Sequence, residues 1–205
     1  MIVYNKSSKT LTGFQAAVES LTEVQVRIQP APAQVESGEE VALLVAAECL
    51  RPFKTAVNAT VSFNLGAQQH SYTLRLPILL SSFFEPVPSD KATYMARWKA
   101  LDNEVQDIFT AGHALDSEYL LHLRTVLFAR LKIGLAAELD PTEHTITGSF
   151  SFQTGSATAE GSLISVGGML RLEADPAGGR IRVTIRAKHP LVSEAVRDVF
   201  KLLLE

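Results

Sequence analysis

The sequence predicts an all-β first part followed by an α+β second part. The division rests on a hydrophobic period of two up to about residue 80, a proline-bearing break at 83–90, and a helical period of 3.6 beyond it. In the first part Val24, Val26 and Ile28 alternate with Gln25, Arg27 and Gln29, and Ala59, Val61, Phe63 and Leu65 alternate with Asn58, Thr60, Ser62 and Asn64. Successive strand residues point to opposite faces, so each segment has one face for a core and one for water. After the turn offered by residues 64–69 the alternation resumes through Tyr72, Leu74 and Leu76, which predicts a hairpin. The apolar run 41–47, set off by Pro30, Pro32 and Gly38, predicts a central strand covered on both sides. Short strands at this spacing predict a small β-sandwich.

At 83–90 Pro86 and Pro88 interrupt all periodicity and favour an extended connector, so the expected subdomains are 1–84 and 85–205. Beyond the break Tyr94, Met95, Trp98 and Leu101 fall on one helical stripe. Asp116 is a candidate cap for a second helix carrying Tyr119, Leu120, Leu123 and Leu127. A third helix, after Pro190, carries Val192, Ala195, Val196, Val199, Phe200, Leu203 and Leu204. Strand patterns at 145–152, 168–173 and 180–186 lie between the second and third helices, and the glycine pairs 167–168 and 178–179 read as turns.

Composition removes several classes of function. Nineteen basic against 22 acidic residues give a net charge of −3, so nothing global attracts a polyanion. The lone Cys49 has no cysteine to pair with and sits in a strand pattern, which predicts inert packing in a reducing compartment. No apolar run approaches the ~20 residues of a membrane helix and residues 1–20 lack a signal-peptide pattern, so the expected location is cytoplasmic. The histidines at 70, 113, 122, 144 and 189 include no i,i+4 pair, and no nucleophile elbow, dinucleotide fingerprint or phosphate loop occurs. The expectation is a protein without catalytic residues, metal or cofactor.

What remains is a binding surface. In 180–186 strand geometry sends Ile181, Val183 and Ile185 to the core and places Arg180, Arg182, Thr184 and Arg186 on the other face. On an adjoining strand Leu170 and Leu172 face the core, leaving Met169, Arg171 and Glu173 outward. No acidic residue occurs between Asp175 and Glu194, so a locally basic patch is expected. Such a sheet face is either a solvated surface or a row of guanidiniums placed to capture carboxylates. Trp98, the only tryptophan, is open to two readings as well, core packing or an aromatic platform for a motif combining a ring with an acid.

Several fragments in fixed order carry a more specific resemblance. They are Leu76-Pro77-Ile78, Phe83-Phe84-Glu85-Pro86, Arg97-Trp98-Lys99-Ala100-Leu101, Glu104-Val105-Gln106-Asp107-Ile108-Phe109, Glu138-Leu139-Asp140-Pro141 and Leu170-Arg171-Leu172-Glu173. Across about 76–190 the chain resembles the appendage, or ear, domain of α-adaptin in the AP-2 clathrin adaptor. The resemblance implies an immunoglobulin-like β-sandwich followed by a platform of antiparallel sheet with flanking helices. It implies a non-enzymatic hub of clathrin-mediated endocytosis at the cytoplasmic face of plasma-membrane coated pits, touching membrane only indirectly. Its partners would be accessory proteins of the epsin, amphiphysin and auxilin types, which carry Asp-Pro-Phe, Asp-Pro-Trp or Phe-x-Asp-x-Phe motifs, and other AP-2 subunits through the rest of an α chain. By position, Trp98 would be the aromatic anchor, Arg171, Arg182 and Arg186 would recognise acid or backbone oxygens, and Glu104 and Glu173 would accept peptide donors or orient the arginines. Where the family has paired phenylalanines before the tryptophan, this chain has Tyr94 and Met95, which changes the pocket. Residues 154–164 look like an added polar hairpin end. Val3-Tyr4-Asn5-Lys6 resembles the edge of the family's sandwich-side site without its glycine, and the family's first sandwich strands have no counterpart before Met1. Appendages of β-adaptins or the coatomer γ subunit share the architecture, and a sheet that binds nucleic acid is the alternative from another class.

Overall fold

The structure, a computed structural model, describes residues 1–19, 21–136, 139, 142–157, 161 and 163–204. The motif stretch 138–141 and the tip of the expected polar hairpin end at 158–160 and 162 therefore lie outside the described residues, Leu139 excepted. The chain forms two compact units, one of Met1–Arg51 with Thr55–Ile78 and one of Pro52–Lys54 with Leu79–Glu205.

The first unit contains strands β1 (Ile2–Tyr4), β2 (Leu11–Val18), β3 (Val24–Ile28), β4 (Gln34–Val35), β5 (Glu40–Ala42), β6 (Val45–Cys49), β7 (Asn58–Leu65) and β8 (Gln68–Arg75). They form a four-stranded sheet in the order β4-β2-β7-β8 and two pairs, β1-β5 and β3-β6, all antiparallel. Leu11, Phe14, Val35, Leu43 and Val61 make the core, with Val3, Ile28 and Val41 packed against it, so residues from the four-stranded sheet and from both pairs meet in one sandwich interior. In β2 the register slips between Thr12 and Gln15, two residues opposing one on β7. Gly13 takes φ +59° there, the left-handed conformation that such a bulge demands.

The expected β7–β8 hairpin forms, closed by Gly66 and Ala67, with Gly66 at φ +65°. Its second strand is an edge, so Tyr72 and Leu74 keep half their surface in water and Tyr72 stacks in line with His70 and Phe63. The single central strand expected over 41–47 is not present. The run breaks at Leu43 and Leu44, whose backbones bond to Met1 and Gln29, and its halves join different partners, β5 with β1 and β6 with β3. Hydrophobicity alone could not show this, because Ala46 and Ala47 are small enough to face water at little cost.

Cys49 closes β6, buried, with its thiol donating to the Arg51 carbonyl at 3.1 Å. Burial disfavours the thiolate and pushes the thiol from 9.0 up to about 11. Because the folded pKa lies above the unfolded one, the thiol's contribution to stability is whole below pH 9 and is lost as pH rises towards 11. A thiol-reactive dye at pH 8 is expected to label Cys49 at least tenfold more slowly in the native protein than in 6 M guanidinium. Equal rates would contradict this packing.

The second unit contains a short 3₁₀ turn (Leu80–Phe83), β9 (Glu85–Pro86), α1 (Lys91–Ala100), β10 (Asn103–Thr110), α2 (Ser117–Ala129), β11 (Gly134–Leu135), β12 (Thr145–Ala157), β13 (Leu163–Asp175), β14 (Arg180–Ala187) and α3 (Pro190–Leu204). One antiparallel sheet runs β10-β14-β13-β12-β11, with β9 added on β12. Asp90 caps α1 by accepting from the Thr93 amide at 2.8 Å, and this bond holds its carboxyl below the usual range. Asp116 caps α2 in the same way, accepting from the Tyr119 amide at 2.8 Å, and Leu120, Leu123 and Leu127 are its buried stripe. Pro190 opens α3, where its missing N–H costs nothing.

Register divides the sheet into two faces. Phe150, Phe152, Leu170, Leu172, Val183 and Ile185 fill one face, and α3 packs on β10 and β14. On that helix Val192, Val196, Phe200 and Leu204 are buried, Ser193 donates to the Asn103 carbonyl at 2.7 Å, and Lys54 pairs with Glu194 at 3.0 Å and Asp198 at 3.1 Å. Gly167 and Gly168, read as a turn from the sequence, are instead mid-strand in β13. A Cβ on Gly168 would stand 2.3 Å from the Phe150 ring, so the glycine is there to let that ring lie across the sheet.

Candidate functional site: an aromatic and arginine face on the second unit

The other face of the sheet carries Glu104, Gln106 and Ile108 from β10, Arg186, Thr184 and Arg182 from β14, and Met169, Arg171 and Glu173 from β13, in register. Helix α1 is tied to the sheet through Tyr94, whose hydroxyl donates to the Leu170 carbonyl at 2.9 Å. Trp98, one turn later, stacks on Tyr94 with centroids 5.8 Å apart and planes at 17°. The Arg186 guanidinium lies 5.1 Å from the indole centroid, donates to the Trp98 carbonyl at 2.9 Å and to Glu104 at 2.6 Å. It thus joins helix and sheet, with both its charge and its plane held in place.

A second cluster lies along the same face. Glu173 bridges Arg171 at 3.1 Å through one oxygen and Arg182 at 2.8 Å through the other. Arg171 and Arg182 keep nearly half of their side-chain surface in water, while Glu173 is more covered. Arg180, at the end of β14, lies opposite Asp175 of β13, so four guanidiniums face three carboxylates and one net positive charge is left on the face. The expected basic patch is therefore largely neutralised. Glu173 is expected from the sequence to face outward beside Arg171, whereas Glu104, 82 residues from Arg186 along the chain, comes alongside it only by strand register.

The structure brings Trp98, Arg186 and Glu104 together, and separately Arg171, Glu173 and Arg182, on one face. Trp98 is half-buried, neither sealed in the core nor fully exposed. Met95 is exposed on the helix three residues before it. Tyr94 does not share that surface. It is 3% exposed beneath α1, since its hydroxyl needs the Leu170 carbonyl and its ring supports the indole. Met169, expected outward, is 2% exposed on the side of the sheet that α1 covers. The stripe of four residues assumed one uniformly buried helix side, whereas only Tyr94 of α1 is buried.

Sequence reasoning missed Ile108, an apolar side chain 57% exposed directly opposite Arg182. It went unread because Asp107 occupies the position where an alternating strand would put an apolar residue. Replacing Tyr94 with phenylalanine removes only the buried hydroxyl and is expected to cost about 1 kcal/mol in urea unfolding, the worth of a typical buried hydrogen bond. A variant as stable as the parent would show that this bond does not hold the helix.

A search against protein-family models matches residues 82–204 to the family described as alpha adaptin AP2, C-terminal domain. Among curated proteins, similarity extends to "AP-2 complex subunit alpha-2" of Dictyostelium discoideum, 26% identical over 203 residues, which covers 97% of this chain and 20% of that protein. "AP-2 complex subunit alpha-1" of Arabidopsis thaliana is 21% identical over 201 residues, covering 96% of this chain and 19% of that protein. The chain thus spans about one fifth of the length of these relatives.

Proposed function

Because the chain belongs to the alpha adaptin AP2 C-terminal domain family, we propose that it is a non-enzymatic appendage module of an AP-2-type adaptor in clathrin-mediated endocytosis, with residues 85–205 as its peptide-binding part. Its ligands are short motifs of the Asp-Pro-Phe, Asp-Pro-Trp or Phe-x-Asp-x-Phe kind in accessory proteins such as epsins, amphiphysins and auxilins. It works at the cytoplasmic face of coated pits, joined to the other adaptor subunits by the remainder of an α chain.

One observation carries the reading: a half-buried indole with a guanidinium 5.1 Å from its centroid, beside a row of charges at the surface. An incoming aromatic ring finds a flat partner in Trp98. The motif's aspartate finds guanidiniums already oriented by Glu104 and Glu173, so little side-chain entropy is left to lose on binding. Each contact is weak, and repeated motifs in one tail multiply them. The family match favours α-adaptin over β-adaptin or coatomer γ appendages, and the near-neutral face does not suit a nucleic-acid backbone.

Calorimetric titration tests this with an Asp-Pro-Phe peptide against Asp-Pro-Ala and Asn-Pro-Phe controls. The expected result is at least about tenfold weaker binding of each control, for the lost ring and the lost charge-assisted bond respectively. Equal binding of all three peptides would remove the proposed recognition.

A further inference from the structure

On the far side of α1 from the Trp98 cluster lies a second cleft, of about 450 Å³, between the helix and the end of the sheet formed by β12 and β13. Two cations stand at it, Arg97 from α1 and Lys188 just past β14, both exposed. Neither side chain makes a hydrogen bond or ion pair among the described residues, in contrast to Arg171, Arg182 and Arg186, each held by a carboxylate. Ser151 and Ser165 also line the cleft, with hydroxyls that have no partner among the described residues. The floor between them is Gly167, where a Cβ would meet only one atom, at 3.9 Å, so the backbone lies open to a ligand.

We propose that this cleft binds a phosphomonoester, carried on a phosphoserine or phosphothreonine side chain of a partner peptide. A phosphomonoester brings close to two negative charges and three acceptor oxygens, which match two free cations and two free hydroxyls. A single carboxylate would leave one cation unmatched. The peptide carrier follows from the rest of the lining: Val87, Leu101 and the covered Met169 offer apolar contact to flanking residues, which a bare inositol phosphate would not use. An anionic bilayer is disfavoured by the chain's net charge of −3 and by Glu85, which lies opposite Ser151 on β9 without lining the cleft. This site does not depend on the motif reading of the Trp98 face, since the two lie on opposite sides of α1.

The probe is the pentapeptide acetyl-Gly-Ala-pSer-Ala-Gly-amide, titrated into the ¹⁵N-labelled chain while backbone amide shifts are followed. Saturable shifts at Gly167, Gly168 and Lys188 are expected, with none for the unphosphorylated peptide. Arg97→Gln with Lys188→Gln, both exposed and so tolerated by the fold, is expected to weaken binding at least about tenfold. Gly167→Leu fills the cleft from below and has the same effect without changing charge. Trp98→Ala leaves the phosphopeptide affinity unchanged, which separates this site from the motif site. The proposal is overturned if both peptides shift the same amides, if the double variant binds as tightly as the parent, or if phosphatidylserine-containing vesicles bind through Arg97 and Lys188 while the phosphopeptide does not.

Discussion

Replacing Trp98 with alanine is expected to weaken the binding of an Asp-Pro-Phe peptide by about thirtyfold or more while leaving the protein folded. Three effects combine. The indole is the flat apolar surface on which a motif ring can stack, and truncating such an anchor at the centre of an interface commonly costs about 2 kcal/mol or more. Its loss also takes away the ring beside the Arg186 guanidinium, which then keeps Glu104 and the helix carbonyl as partners but presents its charge less rigidly. Finally, Tyr94 loses its stacking neighbour yet remains anchored by the Leu170 carbonyl, so α1 stays on the sheet. The cost to stability should be smaller than that of a fully buried ring, because the side chain is only partly buried. Calorimetry and urea unfolding on the same preparation separate the two effects. Unchanged affinity, or lost affinity accompanied by unfolding, would refute this assignment of roles.

The largest loss of stability is expected from Phe150→Ala, about 3–5 kcal/mol. Phe150 is 1% exposed, stacks on Phe84 at 4.2 Å between centroids, and lies across Gly168. The glycine offers no side chain to fill the space the ring leaves, and Phe84 loses the face of its own ring. The pair is also coupled. Gly168→Ala puts a methyl 2.3 Å from the ring and so destabilises the parent, but in the Phe150→Ala background the obstruction is gone and the same change should cost little. Emission from Trp98, the only tryptophan, reports unfolding of this unit. A loss under 1 kcal/mol for Phe150→Ala, or strictly additive effects, would show that the ring does not pack as described.

Much of this architecture is legible in the amino-acid order, for reasons that particular residues make plain. The β7–β8 hairpin and the helices α2 and α3 are written locally, in strict alternation around Gly66, in the Asp116 cap and in the period that places Val196 one turn before Phe200. Strand β14 is equally plain, since Ile181, Val183 and Ile185 alternate with charged or polar residues. What sequence could not reveal depends on partners far along the chain. The run 41–47 is uniformly apolar, yet it divides because β1 and β3 each claim part of it. Strand β10 was hidden by Asp107, and with it the exposed Ile108. The pairing of Arg182 with Glu173 and of Arg186 with Glu104 follows from register, and the unpaired Arg97 and Lys188 stand out only once Arg171, Arg182 and Arg186 have been matched to their carboxylates.

The central claim is that short acidic-aromatic motifs are held against Trp98 and its neighbouring arginines, and the chain carries its own reporter of that event. Titrating a tryptophan-free Asp-Pro-Phe peptide while recording the emission of this single indole should give a saturable change with the same midpoint as calorimetry, reduced at least about tenfold in affinity by Arg186→Gln. Heat of binding without any response from the indole, or no binding at all, would contradict it.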